Sequence, residues 1–276
     1  MSSVRGSRRS QRSGSRHRPS RTTPSVFVVA AALGILLVGV PIVGLLVRTP
    51  WDRIAEILTG DVAVTALRLS LVIATAAAAI ALVTGFPLAW LLARASFRGK
   101  TVLRALVVLP LVMPPVVAGV GLLAAFGRRG IVGAWLYGTF GVQLTFTTWA
   151  AVLSAAFVSF PLAVLTIEAG LRGLDERLED AAATLGGSRW FVLRRVTVPL
   201  LAPQLAAAAV LSWARALGEF GATITFAGNL QGRTQTLPLA VFERLQTDTE
   251  AAFAISMLLI AVAFGVILAL RGRFLR

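Results

Sequence analysis

Arg215 and Glu219 stand four residues apart inside the apolar run Leu200–Phe226. On a helix, Ser212, Arg215, Glu219 and Thr223 step by 3, 4 and 4 and share one face. An unpaired charge in a bilayer costs several kcal/mol on common scales. The two charges must therefore pair with each other or face a wet interior. The four residues then either line a translocation pathway or form a buried ion pair with its neighbours. Ala214, Gly218 and Ala222 run beside them as a stripe of small residues suited to close helix packing.

Other chemistry is excluded by residue type. There is no cysteine, which removes thiolate metal sites and cysteine nucleophiles. The single histidine, His17, lies in a Ser/Arg-rich tail, so histidine catalysis and histidine metal clusters go too. No catalytic set and no metal site is expected. Gly99-Lys100-Thr101 resembles the end of a phosphate-binding loop, but Arg94 stands where the first glycine would be, and no strand precedes it. Any ATP chemistry must come from another chain.

A second informative stretch is the charged loop 172–199. Asp175 is a plausible N-cap, and Glu176 and Glu179 sit favourably in the first turn. Leu178, Ala181, Ala182 and Leu185 fall at i, i+3, i+4 and i+7, one apolar stripe. Gly186-Gly187 ends this helix, and Ser188 caps a second over Arg189–Val196 that runs toward Pro199. A short amphipathic helix of this kind docks in a groove on a soluble partner. Its acidic side argues against lying on an anionic leaflet.

The elements that position these residues are membrane spans. Apolar residues make up 57% of the chain, against about 45–50% in soluble domains, and charged residues 14%, against about 25%. Mean hydropathy is +0.81. Six spans are predicted: 26–47, 69–93, 105–127, 144–167, 200–226 and 251–270. Each has at least the ~20 residues that cross the hydrocarbon core. The glycines between Gly130 and Gly141 mark an interfacial segment carrying Trp135 and Tyr137. Pro87, Pro110, Pro114, Pro115 and Pro161 lie inside apolar runs, either as packing kinks or as parts of a moving pathway.

The net charge of +15 is read as topology and not as nucleic-acid binding. With the N-terminus inside, inner loops hold 19 basic residues and outer loops 6, so both termini are placed in the cytoplasm. Residues 1–25 hold seven arginines and no acid, and are expected to be a disordered tail. Arg8-Arg9 lacks the apolar residue of a twin-arginine signal, and no cleavage site follows 26–47, which is expected to be an uncleaved first span. The six residues past the last span are expected to carry no regulatory domain.

Asp180-Ala181-Ala182-x-x-x-Gly186, nine residues, then Val196-x-Val198-Pro199 resembles the EAA loop of ABC importer permeases, E-A-A-x3-G-x9-I-x-L-P. Asp180 replaces the usual glutamate, and valines replace isoleucine and leucine. Gly85–Trp90 and Leu109–Pro115 look like the molybdate/sulfate branch of that family. Arg215–Phe226 together with Gly232–Ala240 is similar to the molybdate permeases, whereas sulfate permeases share only the Arg-Ala-x-Gly-Glu-Phe-Gly core.

The resemblance implies an all-α, six-helix membrane domain over 26–276 with the type I importer fold, and cytoplasmic coupling helices at 175–196. It implies a non-catalytic permease subunit in the cell membrane of an ATP-driven importer for molybdate, and with it tungstate; a sulfate/thiosulfate importer is the alternative. Glu179, Asp180, Ala181, Ala182, Leu185, Gly186, Val196 and Pro199 would couple to the ATPase. The implied partners are an ATP-binding subunit dimer that holds ATP and Mg, an extracytoplasmic receptor, a second copy of the chain and the lipid bilayer. No cofactor would bind this chain itself. Arg215 and the hydroxyls would serve a tetrahedral dianion as weak, transient donors.

Overall fold

The computed structural model describes residues 25–274. The tail expected at 1–25 therefore lies outside the described residues, save Ser25. Two units are distinguished, Met1–Gly44 and Leu45–Arg276. The described part of the first is most of one apolar helix, α1, Ser25–Arg48.

The second unit is built around a long pair of helices. α2 (Ile54–Thr59) leads through Gly60 into α3 (Asp61–Arg94), which packs along α7 (Thr148–Gly173). At 34 residues α3 is about 50 Å long, more than the hydrocarbon core requires. The pair is close because its contact faces carry small residues: Ala74 and Ala77 on α3, and Ala150, Ala151 and Ala155 on α7. A Cβ on Gly85 would sit 3.1 Å from Val164 Cγ2. Apolar lipid gives no hydrophobic drive for helix pairing, so such close approach is what holds the pair. α10 (Val198–Leu217) lies against both.

Prolines and glycines divide two of the expected spans. The stretch 105–127 is not one helix. It is split into α4 (Lys100–Val112) and α5 (Pro115–Phe126), because Pro114 and Pro115 offer no N–H and hold Met113 extended (ψ 135°). The third window long and apolar enough to cross a membrane is instead Pro115–Phe140, which adds α6 (Ile131–Phe140), the segment expected at the interface. The stretch 200–226 is also divided: α10 stops at Leu217 with Gly218 as its C-cap, and α11 (Gly221–Phe226) follows. The two breaks meet. A Cβ on Gly221 would lie 2.5 Å from Pro115 Cβ, and one on Gly119 would lie 2.9 Å from the Ala222 carbonyl oxygen.

α8 (Glu176–Thr184), α9 (Arg189–Val192), α12 (Leu237–Thr247) and α13 (Thr249–Phe274) complete the helices. Among the described residues there is no strand. Six helical segments among the described residues are long and apolar enough to span a membrane. Hydrogen bonds and ion pairs sort the connections onto two sides. Arg94 at the end of α3 pairs with Glu176 and Glu179 of α8. At the opposite ends, Arg53 pairs with Glu250 at 3.1 Å, and Thr148 Oγ1 donates to the Arg233 carbonyl at 2.8 Å.

Candidate functional site

The loop after α7 folds as its capping residues dictate. The Asp175 carboxylate accepts from the Arg177 N–H at 3.0 Å and caps α8; Ser188 Oγ accepts from the Phe191 N–H at 3.2 Å and caps α9. Between them Gly186 takes a left-handed conformation (φ 88°), which lets the Gly187 N–H reach the Ala182 carbonyl at 3.0 Å. The expected second helix Arg189–Val196 differs in detail. Beyond Val192 the chain makes a π-helical turn, Leu193–Thr197, and continues directly into α10. Val196 and Pro199 are thus part of the entry to the fifth span.

No residue of α8 is buried. Its stripe faces away from the protein: Leu185 is 90% exposed and Leu178 49%, with Ala181 exposed beside them. Asp180 is exposed as well, and Ala182 half-buried. Glu179 points the other way. Its Oε1 accepts from Thr197 Oγ1 at 2.8 Å and from Arg94 Nη2 at 3.4 Å. Most of the expected coupling residues therefore form a surface, and Glu179 lies behind it.

The second candidate, on the fifth span, has a different geometry from a single helical face. Arg215 occupies the last turn of α10, where a cation also suits the helix dipole. Glu219 lies past the helix end, yet it still meets Arg215, with Nη1 to Oε2 at 2.9 Å. Its other oxygen accepts the Ala222 N–H at 2.8 Å, an orphan donor of the first turn of α11. The carboxylate is 2% exposed and the arginine side chain 30%. Ser212 is buried and donates to the Ala208 carbonyl at 2.6 Å within α10, while Thr223 is buried on α11. Ala214, Gly218 and Ala222 likewise belong to a helix, its cap and the next helix, so the small-residue stripe is not continuous. The reason is Gly218, which ends the helix that the i,i+4 spacing presumes.

A third charged group escapes reasoning from apolar runs, because it lies one residue past the fourth. Glu168 on α7 is buried and pairs with Arg104 of α4 and with Arg172, 2.9 Å away. Its signal in the sequence is the same i,i+4 spacing that marks Arg215 and Glu219. Among the described residues, no cluster of three or more metal-ligating side chains is found.

Apolar helices of spanning length, two broken spans and an exposed, self-capped helix between the fourth and fifth define a multi-pass membrane protein. The chain belongs to the family of binding-protein-dependent transport system inner membrane components, matched over residues 85–275. It is 43% identical over 255 residues to the molybdenum transport system permease protein ModB of Mycobacterium tuberculosis, covering 92% of this chain and 96% of that one. Against the Escherichia coli K12 protein of the same name, identity is 45% over 202 residues, covering 73% and 88%. The sulfate transport system permease protein CysT of E. coli K12 is 38% identical over 219 residues, covering 79% of each. The fold matches a bacterial alginate ABC transporter solved in complex with an alginate pentasaccharide-bound periplasmic protein, with TM-score 0.72, 14% identity and coverage of 90% and 92%. The protein is thus an ABC importer permease of the inner membrane.

Proposed function

We propose that the chain is the membrane-spanning permease subunit of an ATP-driven importer that moves molybdate, and with it tungstate, into the cell. The observation that carries the importer reading is α8: a helix held out from the protein, with Leu178, Ala181 and Leu185 exposed along one stripe. The cargo is supported by the molybdenum permeases at 43–45% identity, against 38% for the sulfate permease.

In this reading both termini face the cytoplasm, following the 19 to 6 split of basic residues. Two copies pair, and each α8 enters a groove of an ATP-binding subunit. ATP and Mg are held by that partner, and this chain is its non-catalytic membrane part. A receptor loaded with molybdate docks on the outer connections around 128–142 and 229–250. The periplasmic protein bound to the alginate transporter supports a receptor of this kind.

Transport requires a site that lets go. Arg215 suits this, because its charge is already neutralised by Glu219, and the remaining guanidinium N–H groups are donors without a net positive field. Molybdenum uptake in cells lacking their own permease tests the reading. Uptake should appear with this chain, fall when tungstate is added and persist in excess sulfate. Suppression by sulfate but not by tungstate would overturn the cargo assignment.

A further inference from the structure

We propose that Glu179 is the strut that carries movement of α8 into the membrane spans, and not a residue that touches the ATP-binding partner. The inference rests on the importer reading above. Three elements converge on this carboxylate: Arg94, the last residue of α3; α8 itself; and Thr197, at the end of the π-helical turn that opens into α10. Arg94 also binds Glu176, one turn earlier on α8. The side chains of Arg94 and Glu179 are only 14% and 18% exposed, and Thr197 is buried.

Apolar packing does not do this work. No residue of α8 is buried, and a cleft of about 400 Å³, lined by Trp90, Ala183, Gly187 and Trp190, opens beside Glu179. With so little core beneath it, α8 is held by its polar bonds. A displacement of α8 must then drag Arg94 and Thr197 together. The π-helical turn has a part in this: its extra residue shifts the register so that Thr197 faces Glu179 while Arg194 and Arg195 stay exposed. Through Arg94 the strut reaches α3, and through Thr197 it reaches α10, whose far end carries Arg215 and the break at Gly218. A push from the cytoplasmic side thereby arrives at the discontinuity in the fifth span.

Glu179→Gln, Arg94→Met and the double variant are compared with the native chain, each assembled with the ATP-binding subunit and receptor. Three quantities are read: ATP-binding subunit retained on purification, molybdate transported per ATP hydrolysed, and hydrogen exchange across residues 176–197 in the permease alone. The strut predicts full retention of the partner in all variants. Exchange rises about tenfold or more, as expected when a bond to a charged group is lost. Transport per ATP falls by about the same factor, and the double variant loses less than the sum of the two single ones, because both break the Arg94–Glu179 link. Loss of the partner from Glu179→Gln would make Glu179 a contact residue and overturn the proposal, as would unchanged exchange and unchanged transport per ATP. If the native complex itself failed to respond to loaded receptor, the importer reading would fall, and exchange in the isolated permease would still judge the strut.

Discussion

Arg215 and Glu219 join two helices that the chain itself has separated. The guanidinium belongs to the last turn of α10, and the carboxylate, 2.9 Å away, uses its second oxygen to accept the Ala222 N–H of α11. Glu219 is thus both ion-pair partner and cap, which makes its two oxygens unequal in what they support.

The asymmetry orders the variants. Arg215→Met strands a carboxylate that is almost wholly buried, which costs ~3–5 kcal/mol when one member of a buried pair is removed. Glu219→Gln keeps an acceptor for Ala222 and frees an arginine that already reaches outward. Yield of folded protein should therefore fall sharply for Arg215→Met, fall little for Glu219→Gln, and recover in the double variant. Equal damage from both single changes would refute the ordering. If the recovered double variant also fails to move molybdate, Arg215 lies in the pathway; if it transports normally, the pair is structural.

Gly186 tests the docking surface. Its φ of 88° strains any L-residue, although nothing lies within 4 Å of a Cβ built there. Gly186→Asn should be tolerated, since asparagine adopts this region more readily. Gly186→Glu should reduce both uptake and co-purification with the ATP-binding subunit while membrane insertion stays normal. Normal complex formation and uptake by Gly186→Glu would remove α8 from the interface.

The crossing of the two broken spans has its own control. Gly221→Ala places a methyl 2.5 Å from Pro115 Cβ, whereas at Gly121 on α5 nothing lies within 4 Å. Overpacking of this kind costs about 1–3 kcal/mol. The thermal midpoint in detergent should drop for Gly221→Ala and hold for Gly121→Ala. Equal midpoints would mean that the breaks do not pack as described.

Much of the loop was legible because its signals are local. Asp175, Ser188 and Gly186 do in three dimensions what capping chemistry asks of them, and the stripe from Leu178 to Leu185 forms one face. The breaks were not legible, because proline in an apolar run is compatible with a kink or a stop, and only the partner helix decides. The fifth span misled for a related reason: i,i+4 spacing presumes a continuous helix, and Gly218 ends it. The bonds that reach Glu179 from behind the stripe are not legible, because Arg94 and Thr197 lie 85 and 18 residues away in sequence. Glu168 lies one residue past the apolar run, so only its i,i+4 spacing to Arg172 marks it, and its second partner Arg104 is 64 residues away.

The basic tail supports a simpler expectation. Deleting residues 2–20 removes six arginines and leaves Arg21, so inner loops still exceed outer ones, 13 to 6. Orientation, read by reporter fusions, and uptake should both survive. Loss of uptake in correctly inserted protein would give the tail a further role.

The central claim is tested most directly in sealed vesicles that hold the permease and its ATP-binding subunit, with molybdate-loaded receptor on one side and ATP on the other. Molybdenum should accumulate on the ATP side only when both ATP and receptor are present, and Gly186→Glu should reduce it. Accumulation without ATP, or down a gradient in the absence of the receptor, would contradict an ATP-driven importer and leave a passive carrier in its place.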